Sequence, residues 1–270
     1  MRMTPVVKNL LIINVLFFAA TIVMQRSLGL DLENLLGLHY VRASDFGFWQ
    51  LVTFVFMHAN VSHLFFNMFA LWMFGTAVEE AVGTKRFMAY YMACGIGSGI
   101  IQEIAVGIDL RPIIAAVDTL LSDTTTANIQ EFLSTTIRIV SIESQQLVDT
   151  FIKEYNGTVG SDPMAAEVMA REFAIKYQDM YINANVTVGA SGAVFGILLA
   201  FGMIYPNLRI MLLFPPIPMK AKWFVLVYGL LELFGGIHGS DYDNVAHWAH
   251  LGGMLFGFLL LRMWGVRRLN

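Results

Sequence analysis

The chain has 270 residues, of which 57% are hydrophobic and only 14% charged, and its mean hydropathy is +0.62. Soluble domains carry roughly 25% charged residues, so this composition excludes an ordinary water-soluble globule and points to a membrane. The net charge of −3 is too mild for a nucleic-acid binder, and the single cysteine, Cys94, excludes an intrachain disulfide.

A membrane-crossing helix needs about 20 apolar residues. The first apolar run, roughly 6–24, follows Arg2 and Lys8, as a signal sequence would. It is as long as a span and no small-x-small cleavage site follows it, which predicts an uncleaved first helix. Further spans are predicted at roughly 61–82, 87–104, 186–205, 223–238 and 245–264. The fifth is short and carries Glu232. Between the third and fourth lies a polar, acidic stretch. Its segments TTANIQEFLSTTIRIVSIESQQLVDTFIKEY and DPMAAEVMAREFAIKYQDMY repeat apolar residues at helical spacing. Asp162-Pro163 resembles an N-cap followed by proline at the first helical position. The expectation is an all-α, polytopic membrane protein in three parts: spans one to three in 1–108, a helical extramembrane insertion in 109–184, and spans four to six in 185–270. A disordered linker is the alternative for the insertion.

Orientation follows from Lys and Arg in the short flanks. One set of ends holds Arg2, Lys8, Lys85, Arg86, Arg209, Lys220, Lys222, Arg262, Arg267 and Arg268. The opposite short loops hold only Arg26 and Arg42. Both termini are therefore expected to be cytoplasmic, and the insertion to lie outside.

Ser191 stands at the head of the fourth span with Gly189-Ala190 before it and Gly192 after it. By hydropathy it lies about one helical turn inside. Gly192 and Gly196 form a small-xxx-small pair, and Gly253 and Gly257 form another on the sixth span. Two helices running in one direction with matched stripes would bring Ser191 and His250 to similar depth. A serine with a histidine in reach is an activated nucleophile with its general base. Either residue alone would more simply be interhelical packing or a satisfied interior polar group; together they favour chemistry, because ionisable groups in lipid are costly. His63 and Asn67 are four apart on the second span, share a face, and offer donors for an oxyanion. Polar glue between helices is the plainer account of that pair. His58, His63, His247 and His250 raise the question of zinc. Their spacing offers no His-x-x-x-His or HExxH pair, so no metal and no cofactor is expected. Glu232 is a functional candidate by its depth, with a structural hydrogen bond to a neighbour as the simpler reading.

Three blocks, HANVSHLFFN at His58–Asn67, GASGAVFG at Gly189–Gly196 and AHWAHLGGMLFG at Ala246–Gly257, resemble the motifs of rhomboid intramembrane serine proteases in order, spacing and span. GTAVEEAVG at Gly75–Gly83 is similar to the family's segment closing the second span. The resemblance implies a six-transmembrane rhomboid-like bundle and a serine endopeptidase acting through a dyad without a carboxylate. Ser191 would be the nucleophile and His250 the base. The Ser191 backbone N–H, His63 and Asn67 would form the oxyanion hole. His58 would support them, and Gly189 and Gly192 would leave room for a substrate backbone. It also implies single-span membrane-protein substrates, cut where their helices unwind, and a home in a bacterial inner membrane. The fifth span and the loop GGIHGSDYDNVAHW resemble the family's gate and cap. Trp49-Gln50 departs from a common Trp-Arg, which puts that loop's anchoring contacts in doubt. The long insertion departs as well, and could cap the site, recruit substrates or mediate self-association. His247 is a second candidate base; His250 is preferred because His-x-x-Gly-x-x-x-Gly sets it against the glycine stripe. The rival functions are a catalytically silent binder of transmembrane helices and a transporter, for which no inverted repeat is visible.

Overall fold

The computed structural model describes residues 3–211, 217–239 and 245–269. Arg2, used above for orientation, and residues 240–244 of the expected cap loop lie outside them. Among the described residues the chain is all-α apart from one short hairpin. In order come α1 (Pro5–Leu28), α2 (Leu32–Leu36), α3 (Gln50–Thr53) with a 3₁₀ turn (Phe54–Phe56), and α4 (Val61–Ala70). A π-helical turn (Leu71–Gly75) joins α4 to α5 (Thr76–Val82) as one rod, followed by α6 (Thr84–Asp109). Then come α7 (Arg111–Ser122), α8 (Thr126–Glu131), α9 (Ile142–Thr158) and α10 (Pro163–Asn183). The last are α11 (Ser191–Ile204), the hairpin β1 (Arg209–Met211) and β2 (Pro218–Lys220), α12 (Ala221–His238) and α13 (His247–Met263). The hairpin is antiparallel, with Ile210 opposite Met219.

Two compact units divide the chain: 1–38, 47–104 and 187–270 form one, and 39–46 with 105–186 the other. In the first, Pro5–Leu28, Val61–Val82 and Thr84–Asp109 are each long and apolar enough to cross a membrane. With the shorter α11, α12 and α13 they make the six-helix rhomboid-like bundle. The Glu79 carboxylate, from the segment that closes the second span, accepts hydrogen bonds from the first backbone N–H groups of α1, Val6 at 3.2 Å and Val7 at 3.0 Å. A carboxylate suits that position because the N–H groups there have no helical partner and carry the positive end of the helix dipole. Nearby, Trp49 Nε1 and Gln50 Nε2 both donate to the Leu35 carbonyl, at 2.9 and 3.3 Å. The loop is thus anchored although Gln50 stands where a common family pattern has arginine.

The second unit is built from α7–α10 and the end of α6 around its own apolar core. Aromatic rings dominate it: Phe151 stacks on Phe173 with centroids 4.0 Å apart, and Phe132 meets Phe173 and Tyr177 edge-on. Asp162 caps α10 by accepting from Ala165 N at 3.0 Å, with Pro163 beginning the helix. Ser141 and Ser144 make a capping box at α9. These are the local signals that stop and start helices in a polar stretch.

Candidate active site

Backbone contacts set the position of the serine. Hydropathy alone predicts a helix from 186, but α11 begins at Ser191. The residues before it are drawn into an extended path: Thr187 and Leu38 exchange both N–H···O bonds at 2.9 Å, and Gly189 N donates to the Phe54 carbonyl at 2.9 Å. A competing long-range pairing thus overrides the local apolar run. Gly189 adopts φ +134°, and a Cβ there would sit 2.8 Å from His63 Cε1 and 2.9 Å from its Nε2. Only glycine satisfies both the backbone angle and the closeness of that ring. The consequence for Ser191 is chemical. As the first residue of the helix rather than one a full turn in, its N–H is not consumed by an intrahelical bond.

The two glycine stripes meet as their spacing predicts. A methyl on Gly253 would run into the carbonyl oxygen of Gly192, and one on Gly196 would lie 2.5 Å from Cys94 Sγ and 3.0 Å from the Gly253 oxygen. Tyr90 OH adds a 2.7 Å bond to the Gly196 carbonyl. A Cβ on Gly192 would run into the Ser98 side chain of α6 and lie 3.3 Å from the Ala249 carbonyl, so the missing side chain also lets the helices pack closely.

This packing brings Ser191 Oγ within 2.8 Å of His250 Nε2. Phe195, one turn along α11, stacks on the His250 ring at 4.1 Å between centroids and 10° between planes. The other nitrogen of His250, Nδ1, lies 2.8 Å from Glu232 Oε2, and the same oxygen is 2.6 Å from His247 Nδ1. Where the resemblance implies a dyad without a carboxylate, an acidic side chain stands directly behind the imidazole. Glu232 does have the hydrogen-bonded neighbour expected of it, and that neighbour is the histidine pair. His247, the alternative base, faces the carboxylate through Nδ1. Its separation from Glu232 along the chain, across the loop between α12 and α13, gives no sequence signal of the contact.

His63 and Asn67 both lie on α4, which packs against α11. Asn60 caps that helix by accepting from His63 N at 2.8 Å. Asn67 is 6% exposed, and its Nδ2 is a buried donor without a hydrogen-bond partner among the described residues. His58 precedes α4 instead of sharing its helix, and its buried ring meets His63 edge-on at 5.1 Å. Asn67 and His250 are buried, and Ser191 and His63 half-buried.

Glu232, His247 and His250 are also the group whose ligand atoms could surround a metal, all within 4.8 Å of one another. Two ligands of a tetrahedral zinc, each about 2.1 Å from it, stand about 3.4 Å apart. The 2.6 and 2.8 Å separations here are those of shared protons.

A helical membrane bundle with a part-buried serine–histidine contact defines the class, and comparison with known proteins defines the family. The rhomboid domain model matches residues 45–108 and 153–266, more than half of the chain. The chain belongs to the rhomboid family and is an integral membrane protein. It is similar to "Rhomboid protease GluP" of Bacillus subtilis (strain 168), 46% identical over 52 residues, which is 19% of this chain and 10% of that protein. "Putative rhomboid protease YdcA" of the same organism is 39% identical over 56 residues, 21% of this chain and 26% of that protein. "Rhomboid protease GlpG" of Salmonella choleraesuis (strain SC-B67) is 31% identical over 58 residues, 22% of this chain and 21% of that protein. The matched stretches thus span from a tenth to about a quarter of these relatives' own lengths.

Proposed function

We propose that the chain is an intramembrane serine endopeptidase that hydrolyses peptide bonds in or near the transmembrane segments of single-span membrane proteins. The observation that carries this reading is the 2.8 Å contact between Ser191 Oγ and His250 Nε2. In the reaction, Ser191 Oγ attacks the carbonyl carbon while its proton passes to His250 Nε2. The oxyanion is met by the Ser191 N–H, Asn67 Nδ2 and the His63 ring, donors fixed before the charge develops. The C–N bond breaks as His250 returns the proton to the leaving amine. Water then attacks the acyl-serine, giving a proton to His250, and the ester bond breaks as Ser191 regains its proton. The buried, unpartnered Asn67 amide supports its place among the donors. His58, packed on His63, supports the ring from behind.

The Lys and Arg distribution supports a cytoplasmic position for both termini, with the insertion outside, and the family and composition support a bacterial inner membrane. An α11 of 14 residues is about 21 Å long, less than a hydrocarbon core of about 30 Å. That supports a serine below the outer surface, reached through a polar hollow, since irregular backbone at membrane depth is tolerated only around one.

A fluorophosphonate probe on the purified full chain tests the reading. Wild type should be labelled and Ser191→Ala should not; absence of labelling in folded wild type overturns the proposal.

A further inference from the structure

One oxygen, Glu232 Oε2, lies 2.8 Å from His250 Nδ1 and 2.6 Å from His247 Nδ1. An ionised carboxylate only accepts hydrogen bonds, so each imidazole facing it donates through Nδ1–H. For His250 that choice has a consequence at the far side of the ring. With the proton on Nδ1, the Nε2 facing Ser191 Oγ carries the lone pair. The Phe195 stack fixes the plane of the ring but does not distinguish its two edges; the carboxylate does. We propose that Glu232 is a positioning residue for the Ser191–His250 pair, holding His250 in the Nδ1–H tautomer and balancing the charge the ring takes up, with His247 clamping the same carboxylate oxygen. The proposal rests on the endopeptidase reading and adds a residue that acts on the reaction through another.

The seat for this contact is formed on α12. Gly235 follows Glu232 by one turn, and a Cβ on it would lie 2.5 Å from His247 Cε1 and 2.8 Å from its Nδ1. The helix therefore offers a carboxylate to the ring's nitrogen and an open backbone to its face. Apart from Ala221 and Val225, α12 has no buried residue among those described, so Glu232 is a polar anchor on a helix otherwise weakly enclosed. Its side chain is 12% exposed, a setting in which charges interact more strongly than in water. The groups around His250 are few. Glu232 approaches from α12, His247 from its own helix, the Ser191 hydroxyl from α11, and His63 from α4, with His58 behind it. The Ser98 side chain of α6 packs beside Gly192 and its backbone beside Gly252, and Tyr90 and Cys94 lie further along at Gly257. Among the described residues named here, Glu232 is the carboxylate that meets His250.

The experiment is the rate of fluorophosphonate labelling against pH for purified full-length wild type, Glu232→Gln, Glu232→Asp and Ser191→Ala, each first shown to melt cooperatively. Glu232→Gln should label about a hundredfold or more slowly, by analogy with loss of the buried acid in a serine protease triad. Glu232→Asp should recover part of the rate. If Glu232→Gln labels within about twofold of wild type at every pH while Ser191→Ala is silent, the positioning role fails and the endopeptidase reading stands. If folded wild type is silent, both fail. Should Glu232→Gln not fold, nitrogen-15 imidazole NMR of wild type, with His250 assigned by a His250→Asn variant, decides the matter. Protonation at Nδ1 of neutral His250 supports the proposal, and protonation at Nε2 overturns it.

Discussion

The α11–α13 contact and the core of the 105–186 unit fulfil the same requirement, helices held together, by opposite means. Between α11 and α13 the side chains are removed: Gly192, Gly196, Gly253 and Gly257 let one backbone press on another, and Tyr90 hydrogen-bonds into the contact. In the α7–α10 unit the side chains are enlarged, and Phe132, Phe151, Phe173 and Tyr177 form a cluster of rings. Lipid tails are as apolar as leucine, so association within a membrane depends on close packing and polar bonds. A helical unit in water can draw on burial of apolar area. The contrast supports an extramembrane place for the insertion.

That contrast can be broken by mutation. The largest effect is expected from Phe173→Ala, which empties the centre of the ring cluster and should cost about 3–5 kcal/mol in that unit. Hydrogen exchange in α7–α10 should rise, while labelling of Ser191 by a small probe persists; protection unchanged across those helices would refute the core assignment. Gly253→Ala should cost less in stability, about 1–3 kcal/mol by overpacking, but more in chemistry. The added methyl meets the Gly192 carbonyl and cannot turn aside, so the helices must part and Ser191 with them. Labelling should fall at least tenfold with a modest drop in melting temperature; a fully active variant would show the stripe is not under strain. The smallest effect belongs to Asp162→Ala, about 1 kcal/mol from the lost cap of α10, read as fraying of its first turn.

Much of this was legible in the sequence, and the reasons for the rest are physical. Hydropathy pointed to six apolar segments that are helices in the structure, and three of them are long and apolar enough to cross a membrane, because composition and length report on lipid burial. Small-residue spacing paired α11 with α13, and the Asp162-Pro163 signal opened α10 where expected. Periodicity could not show that the fourth helix starts at Ser191, since the cause is the pairing of Thr187 with Leu38, far away in the chain. Glu232 was visible as a charge in an apolar run, but its meaning lay in two histidines reached across a loop. Glu79 is a similar case, an acid whose partners are the N–H groups at the start of α1. The π-helical turn at Leu71–Gly75 leaves no mark in the pattern, because one widened turn preserves an apolar helix all round.

The short ladder ahead of Ser191 has a bearing on tolerance to change. The bonds between Thr187 and Leu38, and from Gly189 to Phe54, are made wholly by peptide groups. The tether itself asks nothing of the side chains at Leu38 and Thr187, which are buried for their own packing, whereas N-methylation or proline at either site would cut it. The location of the hydroxyl is in this sense encoded by main-chain geometry.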